Sequence, residues 1–358
     1  MAMAMARAAA TSPKLGTSRN GRSGCFASRV RASSVGREPL PRQPPVPRRA
    51  MLVSSTSVIG AVFLGFVQDG PAFSAPVDPQ NQKDELQTAA LAAFNARDFP
   101  TAAKLLTQLS ELDPGNYQWK EALGQVFVDG GGFAFGTNNE ASVKGVEAYT
   151  DALTLIDKSE NNVALIKARL LAGRAQAFEV GLVYKKALMD YDESLATATQ
   201  VNAPNDPLIV NQKANVLAAL GNWADARDLY LQSADGFRNA SKKGGSSPSD
   251  TKFRADGVAF AATNAALALA QLGDLPGAER ELRSVSRRAP GMVDTRAALS
   301  AIYWESNRGE DAEREWEFAC DLIDTGCAKY RDRKWLVEVR RWPPVMVGML
   351  QKFLSITS

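Results

Sequence analysis

From Pro76 onward, apolar residues recur at three- and four-residue spacing along alanine-rich segments, and short turns of Gly, Asn and Asp interrupt them. That period places the apolar side chains on one face of a helix, whereas a half-buried strand would alternate at every second residue. No valine- or isoleucine-rich alternating run is found, so the pattern predicts an all-α body. Near the C-terminus a further stripe, Val345, Met346, Met349, Leu350, Phe353 and Leu354, follows Pro343-Pro344 at helical spacing.

The helical segments are not independent. In LGDLPGAERELRSVSRRAP, Ala278 follows a glycine-containing turn, with Leu282, Val285 and Pro290 at fixed distances after it. NRGEDAEREWEFACDL repeats the arrangement with Ala312, Trp316 and Ala319, a shift of 34 residues. LGNWADARDLYLQSADGF supplies Ala226, Tyr230 and Ser233, and NARDFPTAAKLLTQLSELDP supplies Ala102, Leu106, Leu109 and Pro114. This spacing resembles the tetratricopeptide repeat (TPR), a helix–turn–helix unit of 34 residues that stacks into a solenoid. The repeat's small residue at position 8 falls on Ala90, Ala214, Ala266 and Ser300, and that at position 20 on Ala102, Ala226, Ala278 and Ala312. Small side chains are needed there because helices A and B of a unit cross closely. Two weaker units place Ala175, Ala187 and Tyr191, and Ala148 and Ala152, in the same roles. The position-20 alanines at 102, 148, 187, 226, 278 and 312 are spaced 46, 39, 39, 52 and 34 apart, so insertions break the register. Five to six repeats over 82–320 are expected, with 321–358 as a capping region, because a solenoid end exposes apolar surface unless covered. A docking helix for a membrane or partner is the other use of the C-terminal stripe. The glycine-rich insert GGGFAFGTNNEAS follows no strand and lacks the Gly-Lys-Ser/Thr of a phosphate loop, so it reads as a connector.

Charge divides the chain. Residues 1–74 carry ten Lys/Arg against Glu38 and Asp69, leaving 32 basic and 37 acidic residues for the rest of a chain whose net charge is +3. The mildly acidic body offers no electrostatic footprint for nucleic acid. Residues 1–47, rich in Ala, Ser, Arg and Pro, read as a transit peptide. Arg48-Arg49 then precede an uncharged run, Met51–Val67, short and serine-diluted for a spanning helix but suited to a signal. Ala72 and Ser74 suit cleavage between Ser74 and Ala75. Residues 48–74 resemble the twin-arginine signal of thylakoid lumen proteins, and the whole chain resembles plant and algal chloroplast lumen TPR proteins. That resemblance implies assistance in assembling or maintaining a photosynthetic membrane complex in the thylakoid lumen. The alternative is a membrane-anchored scaffold that keeps 51–67.

Candidate chemistry is sparse. The chain has no histidine and three cysteines, of which Cys25 lies in the segment expected to be removed. Cys320 and Cys327 cannot complete a zinc site; they are either a local disulfide joining cap to solenoid or two free thiols, and a redox-responsive factor would use them. No nucleophile–base pair, metal cluster or cofactor motif stands out, so neither catalysis nor a cofactor is expected. The expected partner is a peptide or helix in the concave groove. By the TPR resemblance, helix A positions 2, 5, 6, 9, 12 and 13 face that groove, and they include Asn211, Asn215, Thr263, Asn264, Gln271, Asp294, Trp304 and Glu305. Asn215 and Asn264 match the asparagines of the family's carboxylate clamp, but Asn211, Asp294 and Ala298 stand where the clamp needs Lys or Arg. An acidic C-terminal peptide is therefore expected not to bind. Calorimetric titration checks this, and micromolar affinity would contradict it.

Overall fold

The computed structural model describes residues 79–131, 138–156, 163–242, 248–322 and 327–355. The transit and signal segments, the Ser74/Ala75 cleavage site and the centres of both long inserts lie outside them. The described residues form helices and turns, with no strand among them. Twelve helices pair into six hairpins: α1 (Pro79–Asn95) with α2 (Phe99–Leu112), α3 (Tyr117–Gly130) with α4 (Asn138–Ile156), and α5 (Ala164–Val180) with α6 (Tyr184–Gln200). The others are α7 (Pro207–Ala219) with α8 (Trp223–Lys242), α9 (Pro248–Gln271) with α10 (Leu275–Arg288), and α11 (Val293–Glu305) with α12 (Gly309–Glu317). A π-helical turn (Phe318–Leu322), the short α13 (Cys327–Arg331), a second π-helical turn (Trp335–Val339) and α14 (Pro344–Leu354) complete the chain. The architecture is a TPR-type solenoid with a C-terminal cap.

Each hairpin turns where the sequence lets it. In five of them the residue five before the position-20 alanine has positive φ: Arg97 (62°), Leu182 (59°), Gly221 (87°), Gly273 (96°) and Asn307 (57°). A left-handed residue reverses the chain in three residues, and glycine adopts it without the strain that Arg97 and Leu182 bear. Helices α2, α7 and α10 start on capped amides. Asp98, Asp206 and Asp274 accept from Thr101, Leu208 and Gly277 nitrogens, and Pro100, Pro207 and Pro276 occupy the first turn, where no amide proton is needed.

The position-20 alanines Ala102, Ala187, Ala226, Ala278 and Ala312 are completely buried, as are Ala175, Ala214, Ala266 and Ser300 at position 8. The second hairpin uses glycine for that purpose. A Cβ on Gly124 would lie 2.7 Å from the Tyr149 ring, and one on Gly173 would lie 2.4 Å from the same ring. Tyr149 is thus wedged between α3 and α5, and its hydroxyl donates to Gln125. Position 27 adds a repeated bond: Ser194 donates to the Ala168 carbonyl and Ser233 to that of Pro207, each at 2.6 Å.

Helix α14 seals the far end. Met346, Leu350 and Phe353 are fully buried, and the Phe353 ring meets Trp304 and Trp316 with centroids 5.8 Å away in each case. Lys352 pairs with Glu305 at its edge.

Gly173→Ala tests the wedge. Alanine in a helix normally stabilises by about 1 kcal/mol relative to glycine, whereas overpacking against Tyr149 should make the variant less stable by about 1–3 kcal/mol. Urea unfolding measures the difference, and a gain in stability would mean that the ring is not held as described.

Candidate functional site

The odd-numbered helices touch in succession from α3 through α5, α7 and α9 to α11, and so form one wall. Polar pairs stitch it. Arg169 of α5 makes a two-pronged bond with Glu121 of α3, at 2.6 and 2.8 Å. Gln176 bonds Gln212 at 2.9 Å, and Thr263 and Thr295 hydroxyls lie 2.9 Å apart.

The groove along this wall already contains polypeptide. After α13 the segment Asp332–Pro343, here called the strap, runs back over α11, α9 and α5. Its centre of attachment is the Asp294 carboxylate, 4% exposed. Asp294 accepts from the Tyr330 hydroxyl at 2.8 Å, from Arg340 Nε at 2.9 Å and from the Trp342 indole nitrogen at 3.0 Å, and a second Arg340 nitrogen closes a two-pronged pair. Arg340 also donates to Asn264 Oδ1 at 2.7 Å and lies over the Phe260 ring. The next residue, Arg341, reaches a different repeat: it pairs with Glu179 of α5, 162 residues away in sequence, and sits beside the Tyr184 ring. Glu179 in turn accepts from the Tyr191 hydroxyl at 2.7 Å. Arg341 has φ +57°, and this left-handed residue aims two consecutive guanidinium groups at two different repeats.

These charges are out of water, so their partners matter. Burial pushes the Glu179 carboxyl above its usual range, against the opposing pull of Arg341 and Tyr191. Burial would depress both arginines, but Asp294 and Glu179 outweigh it and raise them. The phenols of Tyr191 and Tyr330 are driven far up by burial and by the adjacent carboxylates. Each buried carboxylate thus has a guanidinium and one phenol hydroxyl as partners, which is what a buried charge requires.

The residues expected to line the groove divide into three sets. Asn264 and Asp294 grip Arg340. Thr263 bridges α9 to α11, Asn215 accepts from Tyr230 at 2.8 Å, and buried Asn211 lies on α7. Gln271, Trp304 and Glu305 serve the cap: Gln271 accepts from the Val345 amide at 3.0 Å, Trp304 packs on Phe353 and Glu305 holds Lys352. Both clamp-type asparagines therefore present their carbonyl oxygens to donors within the chain. Sequence reasoning passed over Glu179. It occupies position 12 of the third hairpin, a groove position, but that unit matches the repeat weakly. The sulfurs of Cys320 and Cys327 are bonded, with Cα atoms 5.0 Å apart, and so join the last hairpin to α13 just before the strap. Among the described residues, no group of three or more Cys, Asp and Glu could hold a metal ion, and no helix is long and apolar enough to cross a membrane.

A family model for the tetratricopeptide repeat matches residues 88–134, from the second half of α1 through α3. Among solved structures, the chain is similar to a signal-transduction ATPase with a tetratricopeptide repeat sensor from Pyrococcus horikoshii, at 12% identity and a TM-score of 0.53, over 79% of this chain and 40% of that one. It is also similar to a tetratricopeptide repeat protein from Parabacteroides merdae, at 15% identity and a TM-score of 0.48, over 77% of this chain and 94% of the other. No curated protein matches. The class defined by fold and repeat is the TPR-type solenoid.

Removing Asp294 leaves Arg340 buried without its counter-charge. Asp294→Ala should cost about 3–5 kcal/mol and free the strap, so that trypsin cuts after Arg340 and Arg341 under conditions in which the wild type is protected. Protection unchanged from wild type would show that Asp294 does not hold the strap.

Proposed function

We propose that the protein is a non-catalytic scaffold of the thylakoid lumen that helps to assemble or maintain a photosynthetic membrane complex by gripping a segment of a partner protein. The observation that carries the scaffold reading is the occupied groove. A stretch of polypeptide leaving a π-helical turn lies across α11, α9 and α5, held through its side chains. A wall that accepts its own chain in this way has the dimensions and the donor and acceptor pattern to accept another. The lumenal destination rests on residues 1–74, which combine a transit-type segment, paired Arg48-Arg49, an uncharged run and a small-residue cleavage site.

Two variations share the scaffold. One keeps Met51–Val67 as an anchor and works at the membrane surface. The other responds to redox state, and the Cys320–Cys327 bond at the base of the strap is the observation in its favour. The chain's lack of histidine removes the commonest general base, in keeping with a binding rather than a chemical role.

Import of the full-length chain into isolated chloroplasts tests the reading. The expected product begins near Ala75, fractionates with the lumen, and after mild solubilisation co-purifies with photosystem or cytochrome-complex subunits. Recovery in the stroma, or a product that retains Met51–Val67, would refute the lumenal placement. Failure to retain any membrane-complex subunit would refute the assembly role.

A further inference from the structure

We infer that the strap is a built-in stand-in for the partner, and that the segment this groove takes from other proteins carries two adjacent arginines read by Asp294 and Glu179. The inference rests on the scaffold reading and gives it a ligand chemistry. Two carboxylates from different repeats face the groove, and each is matched to one guanidinium of a consecutive pair. Around Arg340 stand an acceptor and a ring that suit arginine rather than lysine. The planar fork of Arg340 engages Asp294 through two nitrogens, reaches Asn264 with one of these, and lies over Phe260. Lysine has neither the fork nor the flat face.

The mode of attachment makes the strap replaceable. Its backbone bonds run within itself, Arg340 nitrogen to Trp335 and Trp342 nitrogen to Leu336, both at 2.9 Å. The groove recognises Arg340, Arg341 and Trp342 by their side chains, so another chain presenting the same groups meets the same partners. An internal segment has the advantage of high effective concentration, on the order of millimolar for a short tether. The closed form therefore dominates until a partner brings further contacts or the strap is loosened.

The test uses a fluorescein-labelled peptide with the sequence of residues 334–344 and the full chain, read by fluorescence anisotropy. In the Arg340→Ala/Arg341→Ala chain the groove is vacated, and the peptide should bind at least about tenfold more tightly than to the wild type, where the strap competes. Replacing both peptide arginines by lysine should weaken binding by about tenfold or more, and adding Glu179→Gln to the protein should do the same. If the double variant does not fold, Arg341→Ala, which keeps Arg340 on Asp294, is judged by the same criteria. On the wild type, millimolar unlabelled peptide should also expose the strap to trypsin. A folded variant that ignores the peptide, equal binding to wild type and variant, equal binding of the lysine peptide, or a wild-type strap that excess peptide leaves protected would each overturn the inference. Should the peptide fail while the imported chain still captures complex subunits, the scaffold reading stands and its partner uses another surface.

Discussion

The close crossing of two helices inside each hairpin is the constraint on which the rest of the molecule depends. At position 20 the second helix presents alanine, and at position 8 the first presents alanine, serine or, in α3, Gly124. Only side chains of this size let the backbones approach, and the approach sets the spacing of successive odd helices. That spacing puts Glu179 on α5, Asn264 on α9 and Asp294 on α11 along one wall, at separations that the side chains of two consecutive arginines span. Larger residues at those crossings would move the carboxylates apart and leave Arg340 and Arg341 without simultaneous partners.

The groove inverts the electrostatics of a carboxylate clamp. Where that clamp needs basic residues, this chain has Asn211, Asp294 and Ala298, and Asp294 holds Arg340 and Trp342 of the strap together with Tyr330 of α13. A buried carboxylate in a mildly acidic body would be costly alone. Here the cost is offset by arginines delivered from the C-terminal segment and by tyrosines on either side, so the wall and its occupant are complementary as a unit. The Cys320–Cys327 bond and the α14 cap hold the two ends of the segment that carries those arginines.

Much of this was legible beforehand because it follows from local periodicity. The six hairpins, the alanines at 102, 148, 187, 226, 278 and 312, and the burial of the 345–354 stripe all come from residues a few positions apart, whose spacing is fixed by helix geometry. The role of Gly124 was hidden, since twelve inserted residues separate it from its register and glycine gives no apolar signal. Glu179 was hidden for a similar reason: its helix is buried nearly all round and has little amphipathic pattern to mark the groove side.

What the sequence alone determined is the solenoid: repeat length, turn positions, small-residue crossings and a cap. What only tertiary structure decided is the use of the groove. Arg341 meets Glu179 across 162 residues, and Arg340 meets Asp294 and Asn264 across 46 and 76. No periodicity relates such pairs, because they are selected by the folded wall's geometry and by the low dielectric that makes an unpaired buried charge intolerable. In sequence, Arg340 and Arg341 are two more residues of the capping region 321–358. Folded, they lie in the groove that the repeats build.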